Sequence, residues 1–224
     1  MAAKTERELK IFVLASHLKK SIKLKKLSWI KISQRYFSDS NLEAAYRIIF
    51  NKHGQIPPLM TGRLRASKTK TGTIKYFATF KGPYLSEYSR DEHEREISRS
   101  LYDTLIVLCQ GFSVDKIRYH LPGHIYLDKT KTKIIAEIDH LTSWSDQFFT
   151  IDIEVVSDKQ IRALRRGQHS FEFLKKGAID ITKEPFPVRR ALSMKFLSRN
   201  GYSEVTKKVV KRLSSKARAK LETL

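Results

Sequence analysis

The sequence predicts an α+β protein in which short strands close into a β-barrel with a charged interior, and helices cover its outside. Three observations carry that expectation. Most segments alternate charged and apolar residues with the two-residue period of a strand. Five of them hold charge pairs at i, i+2: Glu6/Glu8, Arg63/Arg65, Lys116/Arg118, Glu137/Asp139 and Asp152/Glu154. Apolar Leu9, Leu64, Ile117, Ile138 and Ile153 lie between the members of five such pairs or beside them. One solvated sheet face explains a single pair. A shared interior explains five of them better.

In chain order, residues 5–14 read as a strand with Glu6, Glu8 and Lys10 on one face, followed by a lysine-rich connector over 16–28. A second strand spans 29–37. Residues 41–54 read as a helix ended by Gly54, before Pro57-Pro58. Strands at 61–67 and 73–82 flank the turn Lys70-Thr71-Gly72. The stretch 90–110 has the helical period, with Ile97, Leu101, Leu105 and Leu108 on one side and Gly111 as its stop. Strands at 113–121, 132–141 and 147–157 follow, then helices over 158–166 and 187–198. The last segment, from Ser203, reads as a basic amphipathic helix with Val205, Val209 and Leu213 as its stripe.

Composition sets outer bounds. A chain of 224 residues with 41% hydrophobic content can bury a sizeable core. It has no run of eighteen apolar residues, so no transmembrane helix and no membrane partner are expected. No apolar signal segment opens it, and its single cysteine, Cys109, allows no internal disulfide or thiolate zinc cage. Cys109 reads as a small core residue. A cytoplasmic, intracellular setting is the expectation. The net charge of +21 points to polyanions or to a solubility surface.

Basic pairs from different strands can clamp phosphate oxygens, arginine by paired bonds and lysine as a point charge. Carboxylates facing the same phosphates need a bridging cation, and their hard oxygens suit Mg²⁺ or Mn²⁺. Acids and bases together therefore imply a metal–polyphosphate complex. His120 and His140 read as extensions of the charged faces. No Ser–His pair at meaningful spacing and no phosphate-binding glycine run is present.

The residues then reach a resemblance. Glu6-x-Glu8-x-Lys10 resembles the signature of the CYTH superfamily, the triphosphate tunnel metalloenzymes. The similarity continues in order through "GRLRA", "YFATFKG", "SRDEHEREIS", "DKIRYHL", "AEIDHL", "IDIEVVS" and "AIDITKEPFPVRRALS". It covers roughly residues 5–195. Each motif is short; their collinear order is the signal. The resemblance implies an eight-stranded antiparallel tunnel over residues 1–199, with 200–224 as a basic helical tail.

By position, it implies Glu6, Glu8, Lys10 and Glu154 as catalytic residues. Glu6, Glu8, Asp152 and Glu154 would hold Mg²⁺ or Mn²⁺. Lys10, Arg63, Arg65, Lys81, Lys116 and Arg118 would hold the phosphates. Glu92, Glu94, Glu137 and Asp139 would lie at the wall or mouth, although Glu92 and Glu94 also suit the first turn of a helix. The stretch 38–60 is expected to cap one tunnel end. The activity implied is metal-dependent hydrolysis of inorganic tripolyphosphate or a nucleoside triphosphate. An RNA 5′-triphosphatase, a class IV-type adenylyl cyclase and a non-catalytic polyanion binder remain alternatives. The expected partners are a triphosphate-bearing small molecule and, through the basic surface, RNA or polyphosphate.

Overall fold

A computed structural model of the chain describes residues 4–86, 89–127, 130–142, 147–175 and 177–222. The first three residues and the last two of the expected tail fall outside it. The strands are β1 (Lys4–Leu14), β2 (Ser28–Phe37), β3 (Thr61–Thr69), β4 (Ile74–Tyr84), β5 (Ser89–Ile97), β6 (Cys109–Leu127), β7 (Thr130–Leu141), β8 (Phe148–Glu154) and the short β9 (Ile179–Asp180). The helices are α1 (Ala15–Ser21), α2 (Leu42–Phe50), α3 (Arg99–Leu105), α4 (Asp158–Arg165), α5 (Glu172–Lys175), α6 (Phe186–Ala191), α7 (Met194–Asn200) and α8 (Glu204–Glu222).

All strand pairings are antiparallel, in the order β5-β4-β3-β2-β6-β7-β8-β1. The order closes because β1 serves two neighbours. Its residues Lys4–Arg7 pair with β5, and Glu8–Leu14 pair with β8. Eight strands thus form a ring that is uneven at β1, and β9 adds a short pairing at Ile11 and Phe12.

The strand alternation sorts as expected. Outward residues of β1, β7 and β8, including Leu9, Ile11, Val13, Ile138, Ile151 and Ile153, join one core with residues of α1, α4 and the segment at Phe171–Phe173. Outward Leu64, Ala78 and Phe80 of β3 and β4 join another with α2 and α3. Burial of these large side chains at about 1.5–3 kcal/mol each favours closing the sheet with its greasy face out and covered.

Several local expectations change. The stretch 90–110 is not one helix: Ser89–Ile97 is strand β5, and only Arg99–Leu105 is helical. Ser98 caps that helix by accepting the Leu101 amide at 3.1 Å. The alternating Arg90, Glu92, Glu94 and Glu96 supplied a strand period that the downstream leucines masked. Gly111 is no helix stop. It lies inside β6 at φ +78, where a side chain would strike the Ser198 carbonyl, and it accompanies the bulge against β2. Helix α2 ends at Asn51, in the left-handed region with φ 51, before Gly54 is reached. It packs on the outer face of β3 and β4 and does not cap an end. The 16–28 connector is partly helical, and 187–198 divides into α6 and α7. Gly72 does turn the β3–β4 hairpin, at φ +93, with the Gly72 amide donating to the Thr69 carbonyl at 3.0 Å.

The buried stripe of α8 is Thr206, Val210, Leu213, Ser214 and Ala217, with Val205 exposed. Val210, Leu213 and Ala217 join Phe12, Leu14, Val114, Leu141 and Phe148, all with the inward parity of their strands. Ile179, Ile181, Val188, Leu192 and Leu197 complete this cluster. One end of the ring interior is therefore filled by a hydrophobic plug that the C-terminal helices close. Cys109 lies beside the α2–α3 core, where burial pushes its thiol up to about 12, consistent with an inert thiol.

Candidate functional site: an acid–base ring interior

The other half of the interior carries charge. Register alone builds it. Glu8 stands opposite Glu154 and Lys10 opposite Asp152 on β1 and β8. Asp152 stands opposite Glu137 on β7, and Asp139 opposite Arg118 on β6. On the other side, Glu6 faces Arg90, and Glu92 faces Lys81. Because neighbouring strands are roughly 4.8 Å apart, residues in register on the concave face meet directly, and long ones reach past a strand.

Those skipping contacts are present. Lys81 donates from β4 to both Glu6 oxygens at 2.6 Å, across β5, and pairs with Glu92 at 2.8 Å. Arg118 Nη2 reaches from β6 to Asp152 Oδ2 at 3.5 Å, across β7. Arg118 also donates to both Asp139 oxygens at 2.7 Å and pairs with Glu137, while Lys116 pairs with the same Asp139. Lys10 pairs with Asp152 and stands 3.8 Å from Glu8. Arg65 donates to both Glu94 oxygens at 3.1 Å and stacks over Phe77 at 4.7 Å. Thr79 donates to Glu94 at 2.7 Å.

All fourteen residues singled out in the sequence therefore line this interior, Glu92 and Glu94 on strand β5 and not on a helix. His120 comes within 4.0 Å of Glu137, but His140 has the outward parity and packs beside Phe149, 5.0 Å between ring centres. The sequence reading missed Arg90. Its Nε donates to Glu6 at 3.2 Å, and its Nη2 is 3.7 Å from Glu8. Its signal was its place two residues before Glu92, hidden by the helix assignment.

Burial grades the site. The Glu154 side chain is 51% exposed, at the open end, whereas those of Asp139 and Lys116 are 1% and 3% exposed, next to the hydrophobic plug. Burial alone would raise Glu8, but Lys10, with Lys81 and Arg90, holds its carboxyl below the usual range. Glu154 goes the other way: burial, with Glu137 and Glu6 nearby, holds it above the usual range despite Lys4. Burial and then Arg118 push the Lys116 ammonium down to about 8, although Asp139 and Asp152 oppose the shift. Arg118 and Lys116 together hold Asp139 well below the carboxylate range.

Two features stand outside this mutual pairing. Arg63 makes no ion pair within 4 Å among the described residues, and its Nε is buried without a hydrogen-bond partner. Glu8 and Glu154 are the most loosely held acids of the proposed metal set: among the described residues, Glu8 has cations only at 3.7 and 3.8 Å, and Glu154 has only the exposed Lys4 at 3.4 Å. Among the described residues, no three of His, Cys, Asp or Glu form a ready-made metal cage. The donor chemistry nevertheless fits a hard divalent cation, because Glu8 and Glu154 are opposed carboxylates and Glu154 is short of positive charge.

No family model and no curated protein sequence matches the chain. Among solved structures, the chain is similar to HpAC1 from Hippeastrum, an adenylyl cyclase candidate reported with a dominant triphosphatase activity. That likeness has 15% identity over 72% of this chain and 85% of the other, with a TM-score of 0.43. It is similar to the inorganic triphosphatase NE1496 at 22% identity over 70% and 81%, TM-score 0.35. It is also similar to a chain of the Schizosaccharomyces pombe Mediator head module at 12% identity over 71% and 89%, TM-score 0.39. Likenesses this loose assign no activity, and the functional reading rests on this chain's own residues.

Proposed function

We propose that the charged half of the ring binds the triphosphate group of a small molecule together with Mg²⁺ or Mn²⁺ and hydrolyses its terminal phosphoanhydride. The observation that carries the reading is the balance of the lining. Among the described residues, seven cations (Lys10, Arg63, Arg65, Lys81, Arg90, Lys116, Arg118), with exposed Lys4 at the open end, face eight carboxylates (Glu6, Glu8, Glu92, Glu94, Glu137, Asp139, Asp152, Glu154). A pocket for a bare polyanion would carry a cationic excess. A lining near neutrality, with acids and bases interleaved, matches a metal–polyphosphate complex. Buried ion pairs contribute little net stability, so keeping this many in one interior favours a binding role.

Arg63, which has no ion pair among the described residues, would take phosphate oxygens first. Arg65 and Arg118 would trade part of their carboxylate bonds for bidentate bonds to phosphate, and Lys10, Lys81 and Lys116 would add point charge. Glu8 and Glu154, with Glu6 and Asp152 beside them, would hold the divalent ion. Bound there, a divalent ion would supply Lewis-acid polarisation and offset developing charge. A carboxylate of this group would orient water in line with the terminal phosphorus. The new P–O bond forms as the anhydride P–O bond breaks, and the basic residues stabilise charge on the leaving diphosphate portion.

The test is full-length protein with tripolyphosphate, ATP, thiamine triphosphate and 5′-triphosphate RNA, with Mg²⁺ or Mn²⁺ and after chelation. Metal-dependent phosphate release supports the reading. Turnover that survives complete chelation defeats the metal role. Tight binding of triphosphates without turnover on the whole panel would favour a non-catalytic binder, and a cyclic nucleotide product from ATP would favour a cyclase.

A further inference from the structure

Helix α8 has two opposite faces. Its inward face closes the hydrophobic plug through Val210, Leu213 and Ala217. Its exposed side carries Lys208, Lys211, Arg212 and Arg218 away from the buried stripe, with Lys207, Lys216 and Lys220 along its flanks, against Glu204 and Glu222 as the acids of the helix. At 1.5 Å per residue, Lys207 to Lys220 spans about 20 Å of one rigid element. Some of these cations are engaged locally. Lys207 pairs with Glu204, Arg212 and Lys216 share Glu184, and Lys220 donates to the Ala178 carbonyl. The side-chain nitrogens of Lys208, Lys211 and Arg218 have no hydrogen bond or ion pair among the described residues.

We infer that this outward face is a docking surface for nucleic acid, read through its phosphate backbone and without base specificity. The helix period puts Lys208, Lys211, Arg212 and Arg218 on the side opposite Thr206, Val210, Leu213 and Ala217, so the row points away from the ring. A line of cations along one side of a rigid helix complements a line of phosphates, and counterion release drives such binding. The face suits a lipid surface less well. An interfacial membrane helix keeps an apolar side to insert, and here that side is already buried against the ring. The inference is independent of triphosphate chemistry inside the ring, because none of these cations lines it.

The test is a salt titration of binding to a 20-nucleotide uridylate RNA, with a 20-base-pair DNA duplex as second probe. It compares wild type with the triple variant Lys208→Gln, Lys211→Gln, Arg218→Gln. A control variant, Lys19→Gln, Lys20→Gln, Lys23→Gln, removes the same charge from another exposed surface. Thermal melts check folding, which these unpaired exposed positions leave intact. If all three α8 cations contact phosphate, the log–log salt slope for RNA falls by about 2, and binding weakens about a hundredfold at 0.1 M salt. The control changes far less, and duplex DNA follows RNA. Equal losses in both variants would mean that net charge acts without a defined face, and the inference fails. It also fails if wild type binds neither probe, or if the α8 variant loses binding to phosphatidylserine vesicles while its RNA binding is unchanged.

Discussion

Along β1 the inward face runs Glu6, Glu8, Lys10 and then Phe12 and Leu14; along β8 it runs Glu154, Asp152, Thr150 and then Phe148. β7 changes from Glu137 and Asp139 to Leu141, and β6 from Arg118 and Lys116 to Val114. Four strands thus switch from charge to hydrocarbon at a similar depth. The apolar half is buried and closed by helices, so it supplies packing energy and stiffness. The charged half is paired with itself, at a desolvation cost that its own ion pairs do little more than offset. The contrast teaches that one end of the ring holds the fold and the other is available for chemistry.

The strongest way to break that contrast is to remove the lid of the apolar half. Truncation after Tyr202 takes away α8 and uncovers Phe12, Leu14, Val114 and Phe148 to water. The expected outcome is loss of cooperative unfolding, followed by thermal melt. A truncated protein that melts like the full chain would show that the plug is closed without α8.

Next come substitutions that damage one half at a time. Phe148→Ala leaves a cavity in the plug and should cost about 3–5 kcal/mol of stability in denaturant titration. Arg118→Ala should cost stability too, because Asp139, Glu137 and Asp152 lose their shared cation. Breaking a buried pair in this way costs about 3–5 kcal/mol. Stability near wild type for Arg118→Ala would mean that the charged half tolerates uncompensated carboxylates better than the geometry implies.

Arg63→Ala sharpens the comparison, since Arg63 has no ion pair to lose among the described residues. It should leave the melt nearly unchanged and weaken tripolyphosphate binding by about 1.5–3 kcal/mol, the worth of a charge-assisted bond. Calorimetric titration would measure this, and unaltered affinity would remove Arg63 from the phosphate cradle.

The smallest expected effect is a pH dependence from Lys116. Its folded value near 8 lies below its ordinary value near 10.5, so the folded state binds fewer protons between them. Stability from this group therefore rises with pH across that window. Tripolyphosphate affinity moves the opposite way, falling as Lys116 loses its charge above about pH 8. Lys116→Met should flatten that fall, and an unchanged pH profile in the variant would assign it to another group.

Much of the charged half was legible because it rests on an alternation that a strand imposes locally. Glu6, Glu8 and Lys10 share a face whatever the rest of the chain does, and the same holds for Lys116/Arg118 and Asp152/Glu154. Arg90 was not legible. Ser89–Ile97 runs into leucines of helical period, and only pairing with β1 and β4 made it a strand. The α8 stripe kept Leu213 and half-buried Val209, lost exposed Val205, and gained Val210 and Ala217 for a related reason. Two apolar faces were available on that helix, and the shape of the plug selected one.

What the sequence determined by itself was side-chain identity and parity: which residues are charged, which are greasy, and that they would fall on opposite faces. Parity is set by the backbone within a few residues, so no distant partner is needed. What only the tertiary structure decided was ring closure and depth. The pairing of Glu6 with Lys81 and Arg90 joins residues 75 and 84 positions apart. The plug brings Phe12 and Leu213 into one cluster. Such contacts depend on the whole chain finding one register, and a local pattern carries no information about which distant strand will supply the partner.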